Sequence, residues 1–496
     1  MAEQIDRRAF LGAAGTAGVA LTIPGAAGAK KKRRRPLGAP IPRRLQQAMR
    51  GHVFQRGQAG YNGARLVYNE RFDFVMPSYV ARPLGASDVQ GAVRWAVAHG
   101  MPLRPRSGGH SYEGYCAVTG GIMLDLRKMN GISVNRGRGT ATIGAGAQLI
   151  DVYQGLARHG ATIPAGSCPS VGVAGVTLGG GMGLAGRAFG LSTDNLVGAK
   201  IVTADGRLLT VNKHTNPDLF WALRGGGGGN FGVVTQFTFK IHKIPSAASY
   251  FFVNWPWSSA SEALDAWQRW APHARDQLTS IFHLNAGAGN SVSVGGQYMG
   301  RASDLNSLLS PLRAVPGASV SAGQKNYADL QMLFAGCSQK SVAACHTVGS
   351  APGGTLPRES FRAKSDYVTK ALNGTARQRL ISAIEKRNSQ PGSGAILLDS
   401  YGGAINRVAP NATAFAHRNA LFCIQYLSYN GSETWLSETR SSMHRYTSGQ
   451  CYQNYIDREL PHWQQAYYAG NYSRLQSIRK AVDPHHFFNF PQAIGR

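Results

Sequence analysis

Between about Ala64 and Ile244, apolar positions along the chain switch repeatedly between a period of two and a period near three and a half. Val89, Ala92, Val93, Ala96 and Val97 share one helical face. Ser87-Asp88-Val89-Gln90 reads as the capping box of that helix, and Gly100 closes it. Strands are expected over 102–106, 122–126 and 140–143, with a helix over 149–159 ended by Gly160. Residues 197–204 and 207–211 predict a hairpin across Asp205-Gly206, Asn216-Pro217 starts a short helix, and 231–241 forms a closing strand. This is an α+β pattern with mixed sheets.

Residues 245–450 differ in character. Aromatic strands such as 250–255 and 421–429 alternate with helices such as Ala260–Trp270, the pattern of an antiparallel sheet flanked by helices. From Cys451 to the end the chain is rich in Tyr, Asn and His, and a helix over 473–482 stops at Asp483-Pro484. A length of 496 residues exceeds one ordinary core, so two closely packed domains are expected, 64–244 and 245–450, with 451–496 returning to the first.

Charge changes the picture at the N-terminus. Asp6-Arg7-Arg8-Ala9-Phe10-Leu11-Gly12 is a twin-arginine pattern, followed by a Gly/Ala-rich apolar stretch and by Ala27-Gly28-Ala29, a small-residue cleavage site. Residues 1–29 therefore read as an export signal, 30–63 as a basic linker and arm, and the mature chain as secreted and without a membrane span. The formal charge of +28 lies only partly in the six cations at 30–35, so the body is basic too. That balance admits nucleic acid, an anionic wall or an anionic substrate, but no basic–aromatic alternation supports a nucleic-acid platform. Six cysteines are too few for a disulfide scaffold in a chain of this length, although Cys337 and Cys345 are close enough to pair locally.

Several common chemistries are missing. There is no P-loop, no H-E-x-x-H helix and no G-x-S-x-G elbow, Gly144-Ala145-Gly146 lacks a third glycine, and His485-His486 has no second ligand cluster, so no metal is expected. What remains is glycine, 62 residues gathered into a few runs. Arg106-Ser107-Gly108-Gly109-His110-Ser111-Tyr112 offers consecutive backbone N–H groups suited to a diphosphate. The stretch from Gly166 through Cys168 and Gly172 to Gly181, and the run from Gly225 to Gly229, let a flat cofactor lie against main chain.

These loops resemble the berberine-bridge-enzyme-like oxidases of the vanillyl-alcohol-oxidase and p-cresol-methylhydroxylase flavoprotein superfamily. The resemblance spans Asn69 to Ile244 and returns at Tyr452-Gln453-Asn454-Tyr455-Ile456-Asp457, at Asp483-Pro484 through Phe488, and at Gln492-Ala493-Ile494. It implies a PCMH-type FAD domain with FAD attached twice, His110 to the 8α-methyl and Cys168 to C6. The cradle would be built by Arg106, Ser107, Gly108, Gly109, Ser111, Gly172, Gly175, Thr177, Gly179, Gly180 and Val233. The family's sugar and alcohol oxidases use a tyrosine of lowered pKa as base, which maps to Tyr455 or Tyr452, with Tyr112 as a supporting hydroxyl. Gln425 stands where the alkaloid-oxidising branch carries a carboxylate, and Met182 where several relatives carry a catalytic tyrosine. Val171 occupies the position that gates dioxygen. The resemblance thus implies an oxidase taking hydride from a small-molecule or carbohydrate CH–OH donor, with dioxygen as acceptor. A natural-product tailoring oxidase or cyclase, and a polyanion-binding flavoprotein without turnover, are the alternatives.

Overall fold

The structure, a computed structural model, describes residues 43–431 and 433–496; the expected export signal over 1–29 and the cation run lie outside the described residues. The chain packs earlier than its composition suggests. A helix at Arg43–Gln47 and strand β1 (Val53–Gln55) fall within the stretch read as linker, and Leu45, Met49 and Val53 are buried in the first core. With β2 (Tyr79–Ala81), β3 (Leu103–Arg106) and β4 (Ile122–Asp125), β1 forms a sheet in the order β1-β2-β4-β3, with β4 parallel to both neighbours.

A helix at Ala86–Ala98 covers this sheet. It buries Val89, Ala92, Val93 and Ala96, but Val97 points to solvent. Its N-cap is Gly85, not the expected capping box. The Asp88 carboxylate instead accepts backbone N–H groups of Leu84, Arg50 and Gly51 at 2.9–3.0 Å, which ties the N-terminal arm to the helix start. The Gln90 amide donates to the Gly206 carbonyl. Gly100 takes the left-handed conformation (φ +59°) that ends the helix.

β5 (Ile132–Asn135) and β6 (Thr140–Gly144) lead through the short β7 (Ala161–Thr162) to β8 (Leu196–Val202), β9 (Leu208–Asn212) and β10 (Val233–Lys240). Five of these make an antiparallel sheet, β5-β6-β10-β8-β9, while β7 pairs with β11 (His242–Lys243). The expected hairpin is β8–β9, turned at Gly206 (φ +76°) with Asp205 accepting from Thr203 and from the Arg207 backbone.

The remaining strands, β12 (Ala248–Trp255), β13 (Leu278–Ala286), β14 (Asn290–Tyr298), β15 (Ser319–Lys325), β16 (Phe361–Val368), β17 (Ser393–Ser400) and β18 (Phe422–Tyr429), form one antiparallel sheet, β15-β12-β14-β13-β17-β18-β16. Helices at Ala260–Trp270, Gly374–Asn388 and Glu433–Met443 pack on one face through Trp267, Leu380, Ile384 and Trp435. The opposite face presents Ile281, Leu397, Leu427 and Phe361 to Tyr68, Leu184 and Ala185 of the N-terminal half. Covered on both sides, β13, β17 and β18 are buried along their whole length, and the buried residues include polar ones such as His283, Asp399 and Gln425. The tail then rejoins the first core, where Ile456, Leu460, Leu475, Phe488 and Ile494 are buried and the Ile494 N–H donates to Asn230 Oδ1. Cys337 and Cys345 form a disulfide. Among the described residues no helix is long and apolar enough to cross a membrane.

Candidate active site

Two glycine loops lie back to back. A Cβ on Gly108 would meet the Gly172 nitrogen at 2.2 Å, and a Cβ on Gly172 would meet the Gly108 nitrogen at 2.1 Å, so neither position admits a side chain. Ser107 secures the first loop by donating to the Ala145 carbonyl at 2.6 Å. The strand leading into it is anchored below by Asp125, which has no exposed side-chain surface and faces Arg106 at 2.6 Å, Arg82 at 2.7 Å and Arg127 at 2.9 Å. Burial opposes ionisation of Asp125, but the three guanidiniums win and hold its carboxyl well below the ordinary range.

That contact brings His110 and Cys168, 58 residues apart in the chain, onto the wall of one cavity of about 340 Å³. His110 stacks on Tyr68 with ring centroids 3.9 Å apart, and its Nε2 lies 2.9 Å from Ser170 Oγ. Ser107, Gly108, Gly109, Ser111, Tyr112, Val171, Gly172 and Gly175 line the same cavity, as do Gln425, Tyr452 and Tyr455. A Cβ on Gly175 would meet nothing within 4 Å, and one on Gly228 or Gly229 nothing nearer than 3.7 Å. These three positions therefore leave open a floor that side chains would fill, and the residues fit an extended flat cofactor.

Five residues expected in the cradle are off the cavity wall. Arg106 is turned to Asp125 and to the Leu66 carbonyl. Gly179 and Gly180 take the tail instead, since a Cβ on Gly179 would strike Asn454 and Gln453, and one on Gly180 would crowd Phe415 and Tyr452. Thr177 is wholly buried in its helix. Val233 faces the core, and by strand parity its neighbours Gly232 and Val234 reach the cavity. Met182 lies on the wall, as does Cys116 beside the first loop.

The seven-stranded sheet supplies the opposite wall. In one row His283 on β13 pairs with Leu397 on β17, which pairs with Gln425 on β18; in the next row of that face Ile281 pairs with Asp399. Asp399 is a functional candidate that sequence reasoning misses, since its one signal is a carboxylate ending the apolar run Ala395 to Leu398. Burial pushes it up to about 7. It accepts a hydrogen bond of 3.2 Å from the Tyr455 hydroxyl. Tyr455 stacks on Tyr112 (centroids 5.4 Å, 9°), and the Gln425 amide donates to the Tyr112 oxygen at 2.5 Å. Burial raises Tyr455 and Tyr112 well above the ordinary phenol and pushes Tyr452 up to about 12, so none of these three has the lowered pKa expected of a base. The Tyr452 oxygen accepts from the Gly181 and Met182 backbones and from Asn454, the pattern of a clamp between tail and glycine loop.

Residues 77–212 match the FAD binding domain family and residues 451–495 the berberine and berberine-like family. The FAD-linked oxidoreductase YgaK of Bacillus subtilis is 35% identical over 458 residues, covering 90% of this chain and 96% of that protein. The chain belongs to the berberine bridge enzyme-like FAD-linked oxidoreductases. Among solved structures, this family member superposes on Physcomitrella patens BBE-like 1 with a TM-score of 0.84 at 32% identity, over 91% of this chain and 98% of that one. Xylooligosaccharide oxidase from Myceliophthora thermophila C1, solved in complex with xylobiose, gives 0.81 at 28% identity over 92% and 99%. Like its relatives, the present berberine-like chain is an oxidoreductase that uses FAD, built on the PCMH-type fold.

Proposed function

We propose that this protein is an exported oxidase that carries FAD on two tethers and oxidises a hydroxyl-bearing carbon of a sugar or other small alcohol. The observation that carries the reading is the convergence of His110, Cys168, Tyr455 and Asp399 on one cavity. His110 and Cys168 would hold the flavin ring by its two ends, while Gly175, Gly228 and Gly229 leave room for it along main chain. When bound, FAD supplies the hydride acceptor, and dioxygen restores it with release of hydrogen peroxide. The half-buried Val171 keeps a small side chain at the wall beside Cys168, in keeping with access for dioxygen.

The base is a pair. A substrate hydroxyl donating to Tyr455 Oη meets a phenol whose own proton already points at Asp399. As the substrate proton moves onto Tyr455, the phenol proton moves to the Asp399 carboxylate, so no charged phenolate need persist in a buried site. Asp399, held near neutrality by burial, is matched to that task at neutral pH. Gln425 fixes the Tyr112 hydroxyl beside the pair and presents no second carboxylate. A sugar donor fits the related xylooligosaccharide oxidase, and the apolar walls at Ile281, Leu397 and Leu427 set how much of the substrate is wetted.

The decisive experiment is intact mass of native, His110→Ala and Cys168→Ala protein, followed by anaerobic bleaching of the flavin by a panel of oligosaccharides and alcohols. Both single variants should retain one FAD through acid precipitation, the double variant none, and at least one sugar should bleach the native protein and release peroxide in air. A native chain that sheds its flavin into acid, or bleaching by no alcohol at all, would refute the reading.

A further inference from the structure

His110 is one end of a buried row of hydroxyls. Its Nε2 lies 2.9 Å from Ser170 Oγ, which lies 2.7 Å from Thr347 Oγ1. Ser170 has no exposed surface and Thr347 is 3% exposed. Three separate segments meet in this row: the first glycine loop, the second glycine loop, and a stretch tied by the Cys337–Cys345 disulfide. Thr347 is held in place there by a bridge to Leu356 and by the Ser350 N–H and hydroxyl, both donating to its carbonyl. Next to it His346 meets Asp151 at 3.0 Å. Neither the cavity nor the Tyr455–Asp399 pair needs Thr347.

A neutral imidazole carries one N–H, and where it sits decides which nitrogen holds the nucleophilic lone pair. If Nε2–H donates to Ser170 and Ser170 donates to Thr347, the imidazole hydrogen and the Ser170 hydrogen both have acceptors and the lone pair is on Nδ1. The opposite direction places the N–H on Nδ1 and leaves that nitrogen without a lone pair to give.

We propose that Ser170 and Thr347 are positioning residues for flavin attachment at His110: the hydroxyl pair holds the Nε2–H tautomer and then accommodates the loss of that hydrogen. The inference rests on the His110 tether proposed above. In the attachment an N–C bond forms between Nδ1 and the flavin 8α carbon. One hydrogen leaves the methyl group and one leaves the imidazole, and dioxygen takes both with two electrons and departs as hydrogen peroxide. The imidazole hydrogen is the one facing Ser170. Once Nδ1 is alkylated, the neutral ring has its lone pair on Nε2, and the two hydroxyls rotate so that Thr347 donates to Ser170 and Ser170 donates to the ring. A hydroxyl can both donate and accept, whereas a lone carbonyl or amide N–H in its place could serve only one of the two states.

The test uses purified holoprotein in a Cys168→Ala background, where His110 is the single tether. Total bound flavin is read by absorbance, and acid-stable flavin by gel fluorescence and intact mass. Adding Ser170→Ala or Thr347→Val should leave total flavin unchanged while the acid-stable share falls by about tenfold, the scale on which outer-shell partners act. Ser170→Thr, which keeps the hydroxyl, should restore it. Undiminished acid-stable flavin in both Ser170→Ala and Thr347→Val overturns the proposal. So does a parallel loss of total and acid-stable flavin that Ser170→Thr fails to repair, because that marks a role in folding alone. If Cys168→Ala by itself holds no acid-stable flavin, the His110 tether falls and this inference falls with it, a result distinct from failure of the hydroxyl pair only.

Discussion

The Tyr455 hydroxyl donates to the Asp399 carboxylate at 3.2 Å, although one residue belongs to the C-terminal tail and the other to β17 of the seven-stranded sheet. Because each depends on the other, removing either should do most of the damage of removing both. Tyr455→Phe and Asp399→Asn should each lower turnover by roughly 10²–10⁴-fold, the usual range for a positioned base, with flavin content unchanged. The double variant should be scarcely slower than the worse single one, as measured by steady-state peroxide release.

Acidity of the same carboxyl sets a pH profile. Asp399 must be ionised to receive a proton and is pushed up to about 7, so kcat/KM should fall as pH drops through about 7 and level off above it. In Asp399→Asn this limb should vanish from the residual rate.

Stability should move the other way. A carboxyl whose folded pKa lies above its unfolded value of about 3.9 favours the fold below that value, and the benefit is lost as pH rises toward about 7. Asp399→Asn should therefore unfold at higher temperature than the native protein at pH 8, by up to roughly 4 kcal/mol of stability, with the difference closing near pH 4. Thermal melts at the two pH values decide it.

The glycine loops separate cofactor space from folding space. Gly175→Val adds atoms where nothing lies within 4 Å, so it should leave the melting temperature of the chain nearly intact while sharply reducing bound flavin. Gly172→Ala drives a methyl group into the Gly108 nitrogen and should instead destabilise the whole protein by several kcal/mol. Flavin absorbance per chain, set beside circular-dichroism melts, distinguishes the two.

Beneath the loops, Asp125→Asn should cost about 3–5 kcal/mol, since Arg106 would remain buried without its counter-charge. Arg82→Ala should cost far less, because that arginine is a quarter exposed. Denaturant titration reads both.

Much of this architecture is legible along the chain. The helix Ala260–Trp270 falls where its apolar spacing places it, and both glycine loops can be read from sequence because main chain in contact with main chain excludes every other residue. Contacts over long sequence distance are not legible. Asp88 lies inside the expected capping box but serves backbone from Arg50 and Gly51, and a three-residue strand such as β1 is too short to show a period. Val233 faces the core while Gly232 and Val234 line the cavity, because one position along a strand is the opposite face. Asp399 is hidden because a lone acid after four apolar residues looks like the exit from a core strand. Only the neighbouring strands and the returning tail bring it to the Tyr455 hydroxyl.

The wall proposed to meet the substrate belongs to the seven-stranded sheet, whereas the floor proposed to meet the cofactor is built by glycine loops outside it. Ile281, Leu397 and Leu427 can be exchanged on strands that share no hydrogen-bonded register with the glycine loops. Altering what the enzyme accepts is therefore separable from altering how it loads its prosthetic group. The scaffold invites selection of new specificities by repainting three adjacent rungs, with maturation of the holoenzyme left as a fixed background.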